Sequence, residues 1–172
     1  ILKYFYSRNS YKLTFDRGEF AGESDENAEL TLKYGESIFV PILAMAGYTF
    51  LGYDREVPDT MPGHDLKFNA RWQANPNTPY RVESYIQNIT DDEYSLGNIE
   101  TLSGTTGSLL EISDLSKVNG NGLKFTKATV NGTEVTSVAI SGDGKLVIKL
   151  YYNRNSFNAV YHVENGTTKT DL

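Results

Sequence analysis

Leu146-Val-Ile-Lys-Leu-Tyr-Tyr-Asn-Arg-Asn-Ser156, followed at once by Phe157, is the stretch whose reading decides the fold. Leu146, Ile148, Leu150 and Tyr152 alternate with Val147, Lys149 and Tyr151. A two-residue period sends alternate side chains to opposite faces, so the stretch reads as a half-buried β-strand. The same words recur near the start as Leu2-Lys-Tyr-Phe-Tyr-Ser-Arg-Asn-Ser-Tyr11. Aligned on Lys3 and Lys149, five of the ten positions are identical, and three more exchange only Leu for Ile or Tyr for Phe. A strand that ends one unit therefore appears twice, which is the signature of a tandem array.

Working outward, Tyr11, Tyr80 and Phe157 each open a similar strand, 69 and then 77 residues apart. This spacing divides the chain into the final strand of one repeat (residues 1–10), a first whole repeat (11–73), a linker (74–79), a second whole repeat (80–155) and the start of another (156–172). Units this small bury only about 60% of their unfolded surface, so packing between neighbours would help them. With 15 Gly, 12 Tyr and 22% charged residues in 172, the composition is that of an ordinary folded, β-leaning protein.

In the first unit, Tyr11-Lys-Leu-Thr-Phe15 puts Tyr11, Leu13 and Phe15 on one face. Residues 16–29 are rich in Gly, Asp and Glu and read as an exposed loop; calcium, which wants several oxygen ligands, is the functional alternative, although no Asp-x-Asp-x-Asp-Gly spacing is present. Leu30–Tyr34 is a strand, Ile42–Ala46 suits one or two helical turns ended by Gly47, and Tyr48–Tyr53 and Leu66–Trp72 are strands. In the second unit, strands are expected at Tyr80–Gln87, Tyr94–Ser103, Leu123–Val130 and Glu134–Ile140, with a helix over Leu109–Val118. Asn131-Gly132 is the strongest hairpin signal in the chain. The order in both units is strand, strand, short helix, then strands. The fold class is α+β and mostly β.

Charge and composition narrow the function. With 22 Asp+Glu against 16 Lys+Arg, the formal charge of −6 argues against a nucleic-acid face and against anionic membrane. No apolar run is long enough to span a bilayer. The absence of Cys removes disulfides, thiolate catalysis and Cys-ligated metals together; it fits a bacterial exterior and equally a cytosol. The two histidines, His64 and His162, fall in different units, too few and too far apart for a zinc site or a nucleophilic triad. Asp91, Asp92 and Glu93 share a turn, where solvation explains them better than glycoside hydrolysis does. Three Asn-x-Thr sequences, at Asn88, Asn131 and Asn165, are short enough to arise by chance. No catalytic, cofactor or metal residue is expected.

Aromatic residues offer a stronger case. Tyr4, Tyr6, Tyr53, Tyr85, Tyr151 and Trp72 could stack on a sugar or a protein, and Tyr53, Tyr85 and Tyr151 are the candidate ligand contacts. Core and cross-strand packing competes with that reading. Arg8 and Arg154 fall where one unit's last strand meets the next unit's first, and they are candidates to pin that junction.

Lys33-Tyr-Gly-Glu36, Gly47-Tyr-Thr-Phe-Leu-Gly-Tyr53, Thr60-Met-Pro62 and Ala70-Arg-Trp72 resemble the Listeria–Bacteroides repeat, related to the internalin-type B-repeat, over residues 11–73. Tyr53 stands where that pattern has Trp. Residues 80–155 are similar to a mucin-binding-type repeat of Gram-positive surface proteins, through Tyr80-x-Val82, Tyr85-x-Gln87, Gly104-x-x-Gly107 and Tyr151-Tyr-x-Arg154. The resemblance implies tandem β-grasp-like (ubiquitin-like) repeats, each a small mixed sheet with one short helix, in an extracellular protein attached to the bacterial cell wall or secreted. It implies a non-catalytic, monomeric stalk, spacer or adhesin segment. The alternative it leaves is a module binding carbohydrate, a host glycoprotein or another surface protein through exposed aromatics. An accessory domain of an enzyme lying elsewhere in the parent is a third reading.

Overall fold

The computed structural model describes residues 1–18, 28–117 and 122–160. It contains β1 (Ser10–Asp16), β2 (Ala28–Lys33), β3 (Tyr48–Tyr53), β4 (Leu66–Ala74), β5 (Thr78–Gln87), β6 (Tyr94–Gly104), β7 (Leu109–Glu111), α1 (Ile112–Leu115), β8 (Leu123–Val130), β9 (Thr133–Glu134), β10 (Ser137–Ala139) and β11 (Val147–Arg154). Two compact units result. One comprises Ile1–Thr78 with Ser103–Ser108 and Ile140–Gly144; the other comprises Pro79–Leu102, Leu109–Ala139 and Lys145–Leu172.

The first unit carries a four-stranded sheet in the order β2-β1-β4-β3. β1 and β2 form an antiparallel pair, and β1 lies parallel to β4 with Leu13 beside Leu66 and Phe15 beside Phe68. Leu13, Phe15 and Phe68 are buried on one face with Ile38 and Met61, and the Phe15 and Phe68 rings stack at 5.6 Å. The quoted motifs acquire physical roles here. Gly35, at φ +75, turns the chain so that Glu36 can cap it, its carboxylate accepting from the Lys33 N–H at 2.8 Å. The Met61 N–H then donates to the Glu36 carbonyl and the Gly35 N–H to the Met61 carbonyl, which presses the Met61 side chain into the core at 1% exposure.

In β3 the register against β4 shifts between Phe50 and Tyr53, and Gly52 sits at φ +95 within that irregularity. Simple alternation would set Phe50 and Tyr53 on opposite faces. The extra residue of a bulge reverses the phase, and both rings reach the core side, 5.3 Å apart.

Residues 103–108 and 140–144 complete this unit. Thr78 and Thr106 share a buried hydroxyl–hydroxyl bond of 2.6 Å, and the Thr106 N–H donates to the Asn75 carbonyl. Gly142 lies so close that a Cβ there would stand 2.2 Å from the Ala46 carbonyl oxygen.

The second unit carries a five-stranded sheet, β6-β5-β11-β8-β9, and a two-stranded one, β10-β7. Its two central strands, β5 and β11, are parallel, with Ile148 beside Val82 and Tyr151 beside Tyr85. The organising strand behaves as its period requires: Ile148, Leu150 and Tyr152 are buried, while Val147, Lys149 and Tyr151 are half-buried on the other face. Asn131 at φ +50 and Gly132 at φ +82 form the primed turn between β8 and β9.

Several expectations differ from what is observed. Ile38–Ala46 forms no helix, so the first unit has none among its described residues. Pro41 has no N–H to give, the Ile38 N–H is spent on the Asp59 carbonyl, and Met45 is drawn into a bridge with Tyr48. Phe39, Val40 and Ile42 consequently stand exposed. The helix expected over Leu109–Val118 is reduced to α1, because Leu109–Glu111 pairs with β10 and the Ile112 N–H bonds the Thr136 carbonyl; Val118 lies outside the described residues. The strand expected over Glu134–Ile140 divides at Val135-Thr136, one half pairing with β8 and the other with β7. Between β4 and β5 only residues 75–77 remain outside strands. Residues 1–9 join no sheet, and Phe157–Val160 form no strand.

Gly142→Ala should cost the first unit about 1–3 kcal/mol, since backbone rather than a yielding side chain meets the new methyl. A melting midpoint lower by roughly 5–20 °C is expected by calorimetry. Gly122→Ala, where nothing lies within 4 Å, should leave the midpoint unchanged.

Candidate functional site: a tyrosine ladder and two arginine ties

The three candidate aromatics separate. Tyr53 is committed to the first unit's core: its ring lies 5.0 Å from Phe15 and 6.3 Å from Phe68, and its hydroxyl donates to the Pro41 carbonyl at 3.1 Å. Burial pushes that phenol above its ordinary pKa, and the nearby Arg17 charge opposes the shift. Trp72 packs similarly, on Phe50 at 5.2 Å, with its indole N–H donating to the Arg17 carbonyl. Tyr4 and Tyr6 are exposed outside any sheet.

Tyr85 and Tyr151 do come together. As neighbours across the parallel β5–β11 pair their rings stack at 5.3 Å and 21°, and Tyr94 of β6 meets Tyr151 edge-on at 5.2 Å. The Lys149 ammonium lies over the Tyr85 ring and that of Lys127 over the Tyr151 ring, each 5.4 Å from the centroid. Each ammonium is thereby held against the negative face of an aromatic ring. The Tyr85 hydroxyl donates to Glu83 at 2.9 Å, Arg81 pairs with the same carboxylate, and the Tyr94 hydroxyl donates to Asn153. Glu83 is only 5% exposed, and these two contacts satisfy its buried carboxylate oxygens. All of these groups belong to the second unit. The sequence singled out Tyr85 and Tyr151 as strand-borne aromatics; Tyr94, Lys127 and Glu83 entered only with strand pairing.

Each arginine binds a carbonyl within its own unit. Arg8 donates to the Tyr34 carbonyl at 3.1 Å and lines an open cleft of about 530 Å³ with Gly35 and residues 60–63. Arg154 donates through Nε to the Gln87 carbonyl at 2.8 Å, and its backbone N–H donates to the Gln87 side chain. Arg154 thus ties the ends of the two central parallel strands of the second unit.

The remaining ionisable candidates are used structurally. Asp91 accepts from Asn88 Nδ2 at 2.7 Å and from the Glu93 N–H at 2.9 Å, closing the β5–β6 turn. His64 is exposed, and His162 lies outside the described residues. Among the described residues no three His, Asp or Glu side chains gather as a metal set. Most of the acidic loop, residues 19–27, also lies outside them. Asp16 at its edge is held below the ordinary aspartate value of 3.8, first by the Lys67 ammonium at 2.7 Å and then by the Gly18 N–H at 2.9 Å.

Two experiments follow from this geometry. A group whose folded pKa is depressed stabilises fully above its unfolded pKa and stops doing so as pH falls through the folded value. The contribution of Asp16 should therefore persist from pH 7 to about 4 and vanish below, with an NMR titration midpoint under 3.8 that rises in Lys67→Ala. Arg154→Ala should lower the urea stability of the second unit by about 1 kcal/mol at unchanged m-value, since one exposed hydrogen bond is lost without a change in buried surface.

No family model matches the chain, and no curated protein matches it. Among solved structures, domains 3–4 of the Streptococcal High Identity Repeats in Tandem (SHIRT) of a cell-surface protein align over 84% of this chain and 98% of theirs, at 18% identity and a TM-score of 0.28. The Mub-RV crystal structure aligns over 86% of this chain and 99% of its own, at 12% identity and a TM-score of 0.23. At these TM-scores neither likeness informs the fold or the function.

Proposed function

We propose that the chain is a non-catalytic segment of tandem β-grasp-like repeats in an extracellular bacterial surface protein, serving as stalk, spacer or adhesin arm. The observation that carries this reading is the recurrence of one strand plan. In both sheets the order runs second, first, last, third strand, with β9 added beyond the third in the larger sheet, and the first and last strands lie side by side and parallel. The doubled Lys-x-x-Tyr-x-Arg-Asn-Ser motif and the family resemblance of residues 11–73 and 80–155 support the same reading.

The plan suits load-bearing for a geometric reason. In a parallel pair, the chain enters at one end of the ladder and leaves at the other. Tension between the ends of such a unit shears the whole ladder together instead of opening it one bond at a time. In the second unit the loaded ladder runs from Arg81–Val147 to Ile86–Tyr152. Repetition of such units sets reach and permits multivalent attachment.

Single-molecule pulling tests this. A chain held at its two ends should require several-fold more force to open the second unit than one held at Ile89, in the β5–β6 turn, and at Ser156, where hydrogen bonds peel singly. Equal forces in both geometries would overturn the load-bearing reading.

The tyrosine ladder favours a second reading, a carbohydrate- or glycoprotein-binding surface on the five-stranded sheet. Stacked Tyr85 and Tyr151 form a half-buried aromatic pair, and a sugar ring would take the place of an ammonium that now lies over a ring face. Glycan-array binding that disappears in Tyr151→Ala, with the melting midpoint kept, would select this reading; an array without signal would reject it.

A further inference from the structure

β6 is the outermost strand of the five-stranded sheet, bonded on one side to β5 and, among the described residues, unpaired along the other. It spans eleven residues, and all from Ser95 to Thr101 are exposed, including Leu96 and Ile99 at 49% each. An open edge presents unpaired N–H and C=O groups, and proteins guard such edges with charge, proline, bulges or shortness. The other edges of the two larger sheets are guarded, and β7 and β10 of the small sheet have three residues each. β2 has six residues with a charge at Glu29 and another at Lys33, β3 is broken by its bulge at Gly52, and β9 has two residues. β6 has no proline and no lysine, and Glu100 is its single charge.

We propose that this edge pairs antiparallel with β6 of a second copy of the chain, with Ile99 facing Ile99 on the two-fold axis. The register follows from symmetry. A two-fold axis normal to a sheet keeps each side chain on its own face. Residues directly opposite must also share a face, so one residue has to meet its own copy. Placing Glu100 on the axis would oppose two carboxylates, which repel. Ile99 is the midpoint of the strand and a β-branched residue, favourable as a cross-strand pair. With Ile99 on the axis, Leu96 faces Leu102, Asn98 faces Glu100, and Gly97 faces Thr101. The Asn98 amide already donates to Glu100 at 2.9 Å within the strand, so the two side chains are disposed to exchange that bond across the axis.

The join adds a homotypic contact to the monomeric segment that the sequence suggests, and it is independent of load-bearing. One strand-to-strand contact falls at the small end of interface sizes, so a weak association that shows only at high protein concentration is expected. Neighbouring arrays on one surface would multiply it through effective concentration.

The absence of cysteine makes a direct test available. In the whole chain, Ile99→Cys should form a disulfide-linked dimer on mild oxidation at least ten-fold faster than Ile89→Cys, whose residue lies in the exposed turn at 84%. In sedimentation the natural chain should reach dimer mass near 1 mM. Ile99→Lys, which sets two ammonium groups face to face, should weaken association at least ten-fold while keeping the monomer's circular dichroism. A chain monomeric throughout, equal cross-linking at positions 99 and 89, or a dimer indifferent to Ile99→Lys would each overturn the proposal.

Discussion

Each unit depends on two strands far apart in the chain lying side by side and parallel, β1 with β4 and β5 with β11. Parallel neighbours cannot be joined by a tight turn, so the long connections between them exist to return the chain to the correct end of the ladder. The cores form on this pairing. Phe15 reaches Phe68 only because Leu13 is level with Leu66, and Ile148 lies beside Val82 by the same kind of registration. The loss of one registration would displace an entire apolar set from its face.

Small features of the chain keep that pairing in place. Gly35 and Gly52 occupy positive φ where a side chain would be strained, and Gly142 occupies a space that has no room for a methyl group. Arg154 fastens the ends of the second parallel pair through the Gln87 carbonyl, and Arg8 reaches the carbonyl of Tyr34. These devices spend polar groups on geometry. Three carboxylates follow the same pattern, since Asp16, Asp91 and Glu83 each hold a neighbouring group in place.

The face of the five-stranded sheet away from the buried side chains is organised differently. Tyr85, Tyr94 and Tyr151 shelter one another, and Lys127 and Lys149 close over the rings. Such a surface is ordered before any partner arrives, so little side-chain entropy remains to be lost on contact. The edge at β6 is the complementary case, a surface whose backbone groups are unpaired rather than preorganised. The two offer separate modes of association, by side chain and by main chain.

The period-two alternation of Leu146–Tyr152 and of Tyr11–Phe15 by itself determined which faces are buried, because side-chain direction in a strand is a local property. Asn131-Gly132 determined its turn for a similar reason, since both residues tolerate positive φ. Local pattern cannot say which strand lies beside which. Tertiary structure alone placed Leu109–Glu111 against Ser137–Ala139 in place of most of a helix, and turned Tyr53 inward by a bulge that only the register with β4 reveals, although Gly52 was its one visible sign. It also brought Tyr94 and Lys127 to Tyr151 from strands remote in sequence. Pairing is decided by the combined fit of all strands at once, and no window of residues contains that sum.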